Sequence, residues 1–175
     1  MNEVLECLKT RRAVRSFKPD AVPQELLDQI TEAGLYAPSG MGKQSAIIIA
    51  VTKKEKRDEI MEVNRRIGGW GAEYDPFYGA PVILIVLADK SLPFARYDGS
   101  LVMGNLMNAA HAVGLGSIWI HRAFEEFESD WGKAFLKELG IEGEFEGIGH
   151  CAIGYTDGEE PAAKPRNEGR LFFVK

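Results

Sequence analysis

The sequence predicts one domain built on a central sheet with helices over both faces. Three observations carry this. Four apolar runs of strand length punctuate the chain: Ala46–Val51 (AIIIAV), Pro81–Ala88 (PVILIVLA), Ser117–Ile120 (SIWI) and Gly149–Gly154 (GHCAIG). Segments with helical spacing of apolar residues separate them. At least three of the runs are apolar at consecutive positions, so both of their faces need cover, which helices supply.

The elements follow in order. Residues 2–10 read as a short helix with Val4, Leu5 and Leu8 inward. Residues 23–37 read as a second helix, with Pro23 suited to the first turn and Leu26, Ile30, Ala33 and Ala37 at helical spacing. Residues 54–66 read as a helix charged on its outer face, with Arg57 among its surface charges. Residues 98–113 give the most apolar helix, through Val102, Leu106, Ala109, Ala110 and Val113. Residues 126–139 form a charged helix that stops at Gly140. The run Leu171–Val174 (LFFV) is too apolar to be left in water. It either edges its own sheet or packs on a second subunit. The second is preferred, because exposed apolar surface on that scale is a liability in a monomer.

A chain of 175 residues, 45% hydrophobic and 27% charged, is long enough to bury a core without staples. The net charge of -5, from 26 acidic and 21 basic side chains, argues against a broad nucleic-acid footprint. The longest apolar run, Ala80–Ala88, holds nine residues, well short of the ~20 that cross a bilayer. Glu3 and Glu6 stand where a signal peptide needs an apolar core. Cys7 and Cys151 show neither metal-ligand spacing nor a disulfide framework and fit a reducing cytosol. The expectation is a cytoplasmic protein with no metal, nucleic-acid or membrane partner.

Four segments hold polar chemistry, and each has a plain structural reading beside the functional one. In TRRAVRSF, Thr10–Phe17, three arginines (Arg11, Arg12 and Arg15) fall within five residues. Guanidinium groups bind phosphate in forked geometry, but a solvated basic helix end has the same composition. APSGMGKQ, Ala37–Gln44, turns through Gly40 and Gly42 into the first strand. Its backbone N–H groups could meet the edge of a planar ligand, with Ser39, Lys43 and Gln44 adding donors; the alternative is an ordinary connection. It lacks the spacing of a phosphate-binding P-loop. In GLGSIWIHRAFE, Gly114–Glu125, His121 and Arg122 emerge at a strand end, where open sheets place ligands. His121 is either a proton donor or a strand-end polar residue. In GHCAIGYTDGEEPAAKPRNEGR, Gly149–Arg170, Lys164 and Arg166 flank Pro165 in a segment that otherwise reads as a solvated tail. A metal site from His111, His121, His150 and Cys151 matches no ligand spacing.

The order of these segments is more specific than any one of them. TRRAVRSF, APSGMGKQ, YGAPVILIVLA, NLMNAAHAVGLGSIWI and GHCAIGYTDGEEPAAKPR together resemble the FMN-dependent nitroreductase family over nearly the whole chain. The resemblance implies an α+β fold, a nitroreductase-like central sheet flanked by helices, in an interlocked homodimer with FMN at the subunit interface. It implies that Arg11, Arg12, Ala13 and Arg15 hold the phosphate and ribityl chain, joined by Lys164 and Arg166. It assigns flavin contacts to Pro38, Ser39, Gly40 and Gln44, partly across subunits. It runs Ile120, His121 and Arg122 past the ring, with a backbone N–H toward N5. Two departures stand out: Gly42 and Lys43 replace the usual asparagine region of the turn, and Arg122–Ala123 replaces the Glu-Gly of many larger members. Gly68–Tyr78 is the expected pocket cover. The implied activity is ping-pong electron transfer from NAD(P)H to a nitroaromatic, quinone or similar electron-poor small molecule. Its rivals are a flavin-modifying or dehalogenating enzyme and a non-enzymatic FMN-storage protein. No Rossmann fingerprint is present, since Gly114–Gly116 lacks the third glycine and precedes a strand.

Overall fold

The computed structural model describes residues 2–175. Helix α1 spans Glu3–Thr10 and α2 spans Gln24–Leu35; strand β1 is Ala46–Val51. Helix α3 (Lys54–Gly68) leads to β2 (Val82–Asp89), and α4 (Ala95–Ala112) leads to β3 (Gly116–Ile120). Two short helices, α5 (Ala123–Glu128) and α6 (Asp130–Glu138), precede β4 (Phe145–Gly154). The sheet order is β1-β2-β4-β3, and each neighbouring pair is antiparallel.

Alternation along β2 divides the core. Ile83, Ile85 and Leu87 face Ile60 of α3, Phe127 of α5 and Phe135 of α6. Val82, Leu84 and Val86 face Leu27 and Ile30 of α2 and Met103 and Leu106 of α4. Because β2 is fully covered on both faces, its sequence reads as one unbroken apolar run. Each fully buried aliphatic side chain contributes ~1.5–3 kcal/mol relative to exposure, and Ile83, Leu84, Ile85 and Leu87 are all completely buried.

The structure moves several expected boundaries and faces. The helix expected over 126–139 is two helices, because Ser129 leaves the helical conformation (ψ 163°) and its Oγ accepts the Gly132 N–H at 3.3 Å. Strand β4 begins four residues before Gly149, and Ile148 forms a bulge opposite Val86 and Leu87. Helix α1 does not turn Val4, Leu5 and Leu8 inward: all three are more than half exposed. Its ties to the body are polar, through Cys7 Sγ donating to the Asn108 carbonyl and Thr10 Oγ1 lying 2.8 Å from His111 Nε2. Arg57 is not a surface charge. It is buried, pairs with Asp75, and donates from Nε to the Ala80 carbonyl at 3.1 Å. No strand forms after Gly154 among the described residues, and Leu171, Phe172, Phe173 and Val174 are exposed.

Candidate functional site

The basic segment after α1 is strapped to the sheet rather than continuing the helix. Ala13 bridges Ser117 in parallel, and the Val14 N–H donates to the Ser117 carbonyl at 3.1 Å. Farther along, Phe17 bridges Thr156, and the Asp157 N–H donates to the Ser16 carbonyl at 3.0 Å. Val14 and Phe17 are buried, whereas Arg11 and Arg12 are half-buried and Arg15 is exposed. The buried pair anchors the segment and leaves the guanidinium groups to the outside. Arg12 is steadied by its own chain, donating to the carbonyls of Lys9 and Arg11 at 2.8 and 2.6 Å.

The segment therefore shares the β3 edge with the chain that follows β4. Lys164 and Arg166 are exposed, and Arg166 donates from Nη2 to the Lys164 carbonyl at 2.7 Å.

The turn Pro38–Gln44 is held by a residue the sequence did not single out. Asp98, buried on α4, accepts the Gly40 N–H at 2.8 Å and the Ser45 hydroxyl at 2.7 Å. The Gln44 N–H donates to Ser39 Oγ, the Gly42 N–H to the Ser39 carbonyl and the Lys43 N–H to the Gly40 carbonyl. These amides stabilise the turn itself. Asp98 sits 58 residues from Gly40 in an apolar helix, a separation no local pattern reveals.

At the far end of β3, Ile120 is buried, His121 is exposed and Arg122 is half-buried. His121 stacks on Trp119 with 6.1 Å between centroids. Arg122 takes a left-handed φ of 85°, unusual for a residue with a Cβ. Its guanidinium lies 5.2 Å over the Trp70 ring. From there an aromatic row runs across the Gly68–Tyr78 segment: Trp70 and Tyr74 are 4.9 Å apart, and the Tyr74 and Tyr78 hydroxyls 3.2 Å apart. The Tyr78 hydrogen bond and burial raise the Tyr74 pKa above the usual phenol range, while the charge of Arg15 opposes the rise. The row thus connects Arg122 to the neighbourhood of Arg15.

Cys151, on β4, is fully buried. Burial pushes its thiol up to about 12, against a small opposing pull from Arg11, so it is no nucleophile at neutral pH. His111, His121 and His150 stand apart, contacting Thr10, Trp119 and Glu126 respectively.

The Nitroreductase family model matches residues 8–155, from the end of α1 to the residue after β4. The chain belongs to the nitroreductase family. A nitroreductase from Bacteroides fragilis with bound FMN superimposes with a TM-score of 0.92 at 30% identity, covering 100% of both chains. The FMN reductase [NAD(P)H] of Bacillus subtilis is 31% identical over 141 residues, covering 67% of this chain and 53% of its own. The iodotyrosine deiodinase of Thermotoga neapolitana is 29% identical, covering 96% of each chain. The chain spans between 53% and 60% of the length of two curated nitroreductase-family relatives that it matches. No helix among the described residues is long and apolar enough to cross a membrane.

As expected of a nitroreductase fold, the sheet is central and helices cover both faces. The donor set of this family member fits an anionic, ring-bearing cofactor. Cations cluster beside β3, and two buried donors near its end, Trp119 Nε1 and Arg122 Nε, have no protein partner.

Proposed function

We propose that the chain binds FMN and passes electrons from NAD(P)H to a nitroaromatic, quinone or similarly electron-poor small molecule. The observation that carries this reading is the strapping of the Arg11–Arg15 segment along β3, whose other end turns at Arg122. From Ser117 to Arg122 the extended chain covers roughly 17 Å. A head group at one end and a ring at the other suit an elongated mononucleotide.

When bound, FMN supplies the electron-transfer chemistry. The chain's own residues bind and orient it. Arg11, Arg12 and Arg15 neutralise the phosphate with charge-assisted hydrogen bonds, beside Ala13 and with Lys164 and Arg166 arriving from the tail. Pro38, Ser39, Gly40 and Gln44 flank the ring, partly across a homodimer. Ile120, His121 and Arg122 would run past the ring, with a backbone N–H there that would hold and orient N5. Trp70, Tyr74 and Tyr78 wall the acceptor pocket. His121 is the candidate proton donor, and no side chain is needed as a nucleophile. The exposed α1 face and LFFV tail support the homodimer, and the two unpaired cysteines support the cytoplasm.

The visible absorption spectrum of the purified protein, with and without NAD(P)H, tests the reading. A yellow protein that bleaches on reduction and recovers with a nitroaromatic or quinone is expected. A colourless protein that takes up no added FMN overturns the reading, and bound FMN without turnover points to storage. The similarity to a deiodinase over 96% of both chains favours one second reading, reductive dehalogenation. Halide release from a halogenated phenol separates it from nitro reduction.

A further inference from the structure

Beneath the β3–α5 turn lies a buried polar cluster that electron transfer does not require. Asn64 of α3, Glu126 of α5 and His150 of β4 are each 0% exposed. Asn64 Nδ2 donates to the His121 carbonyl at 2.9 Å and to Glu126 Oε1 at 2.7 Å. The opposite amide orientation would set Oδ1 against two acceptors, so this contact pair fixes the assignment. Glu126 Oε2 lies 2.7 Å from His150 Nε2, although the angles there are not those of a hydrogen bond. The edge of Phe77 closes the other side of His150 at 5.3 Å between centroids. Burying a carboxylate in this way is costly compared with apolar packing, which points to a structural task at that place.

We propose that Asn64 is a positioning residue, held by Glu126 with His150 packed behind that carboxylate, that sets the orientation of the His121–Arg122 peptide. A trans peptide is planar, so its C=O and N–H point in opposite directions. Drawing the His121 carbonyl onto Asn64 turns the Arg122 N–H away from α3. The next peptide is fixed as well, because the Arg122 carbonyl accepts the Glu126 N–H at 2.9 Å. Glu126 thus holds both sides of Arg122, one through its backbone and one through Asn64. Together they sustain the left-handed φ of 85° without a glycine. Resting on the FMN reading, the Arg122 N–H is the donor this clamp presents to flavin N5.

Hydrogen exchange of the Glu126 amide, which donates to the Arg122 carbonyl, tests the clamp in the protein as purified. The midpoint potential of FMN-loaded protein tests its link to the ring. Asn64→Leu and Glu126→Ala are expected to speed exchange of the residue-126 amide about ten-fold while the amides of β2 stay protected. Glu126→Gln keeps an acceptor for Asn64 and is expected to behave as wild type. Asn64→Leu is also expected to shift the flavin potential by about 30 mV, the equivalent of ten-fold for a two-electron couple. If Asn64→Leu does not fold, Asn64→Ser takes its place with the same expected results. Unchanged exchange in both the Asn64 and Glu126→Ala variants overturns the clamp. Faster exchange with an unchanged potential overturns the ring contact. A wild type that takes up no FMN overturns the functional reading and the ring contact together, and exchange still decides the clamp.

Discussion

The Arg122 guanidinium lies over the indole of Trp70, 5.2 Å from the ring centroid. This contact ties the left-handed turn after β3 to the aromatic row from Trp70 to Tyr78. A cation over an indole at a partly exposed site contributes ~0.5–1 kcal/mol. Trp70→Leu is therefore expected to lower stability by about that amount plus the lost packing. Urea unfolding of Trp70→Leu and wild type measures it, and equal midpoints would remove the contact from the account.

The backbone strain at Arg122 can be read apart from its side chain. Arg122→Ala and Arg122→Gly both lose the Trp70 contact, but only glycine adopts φ 85° freely. The glycine variant is expected to be the more stable of the two by ~1 kcal/mol. Paired thermal melts check the difference, and an alanine variant of equal or greater stability would show that the turn relaxes.

Gly147 marks the closest approach of β4 to α5. A Cβ there would sit 2.0 Å from the Ala123 carbonyl oxygen, a backbone atom that cannot swing aside. Gly147→Ala is expected to cost ~1–3 kcal/mol as overpacking. It should also displace the start of α5, visible as altered amide chemical shifts at residues 121–124. A variant with wild-type stability and unshifted amides would contradict the close packing.

For the phosphate assignment, Arg11→Ala is expected to weaken FMN retention by about 1.5–3 kcal/mol, one charged hydrogen-bond partner. Lys54→Ala is the matched control, because the Lys54 side chain is 82% exposed on α3. Fluorescence titration with FMN compares them, and equal affinities would count against the assignment. Arg57→Ala is unsuitable as a control: it strips a partner from Asp75, and a broken buried pair costs about 3 kcal/mol.

Cys151 and Cys7 should differ in reactivity. Burial holds the Cys151 thiol near about 12, against 9.0 in an open chain. At pH 8 under native conditions, iodoacetamide should therefore label half-buried Cys7 and spare Cys151, as mass spectrometry would reveal. The sign for stability follows from the raised value. The unfolded thiol ionises first, so Cys151 leaves stability untouched below pH 9 and erodes it between 9 and about 12. Labelling of Cys151 at pH 8 in folded protein would contradict its burial.

Local pattern made most of the architecture legible. Ala46–Val51 reads as a strand with the bounds it has, because six apolar residues with three consecutive isoleucines have no other sensible place. Ser129 followed by Asp130 carries a helix-start signal, yet the charged periodicity on either side hides the break between α5 and α6. The glycines of FEGIG mask the first half of β4. Arg57 reads as a charge on a charged helix because nothing near it in sequence announces Asp75 or the Ala80 carbonyl. The site divides in the same way. Arginines, turn and strand end are visible as motifs, whereas Asp98 under the turn and Asn64 under Arg122 act across 58 and 57 residues.

The strand order has a consequence for how the chain assembles on the ribosome. β4 is synthesised last of the strands but lies between β2 and β3. Until residue 154 has emerged, β3 has no strand neighbour and β2 has only β1. The nascent chain therefore carries an open apolar seam through most of its elongation, and closure waits on contacts distant in sequence, which form slowly.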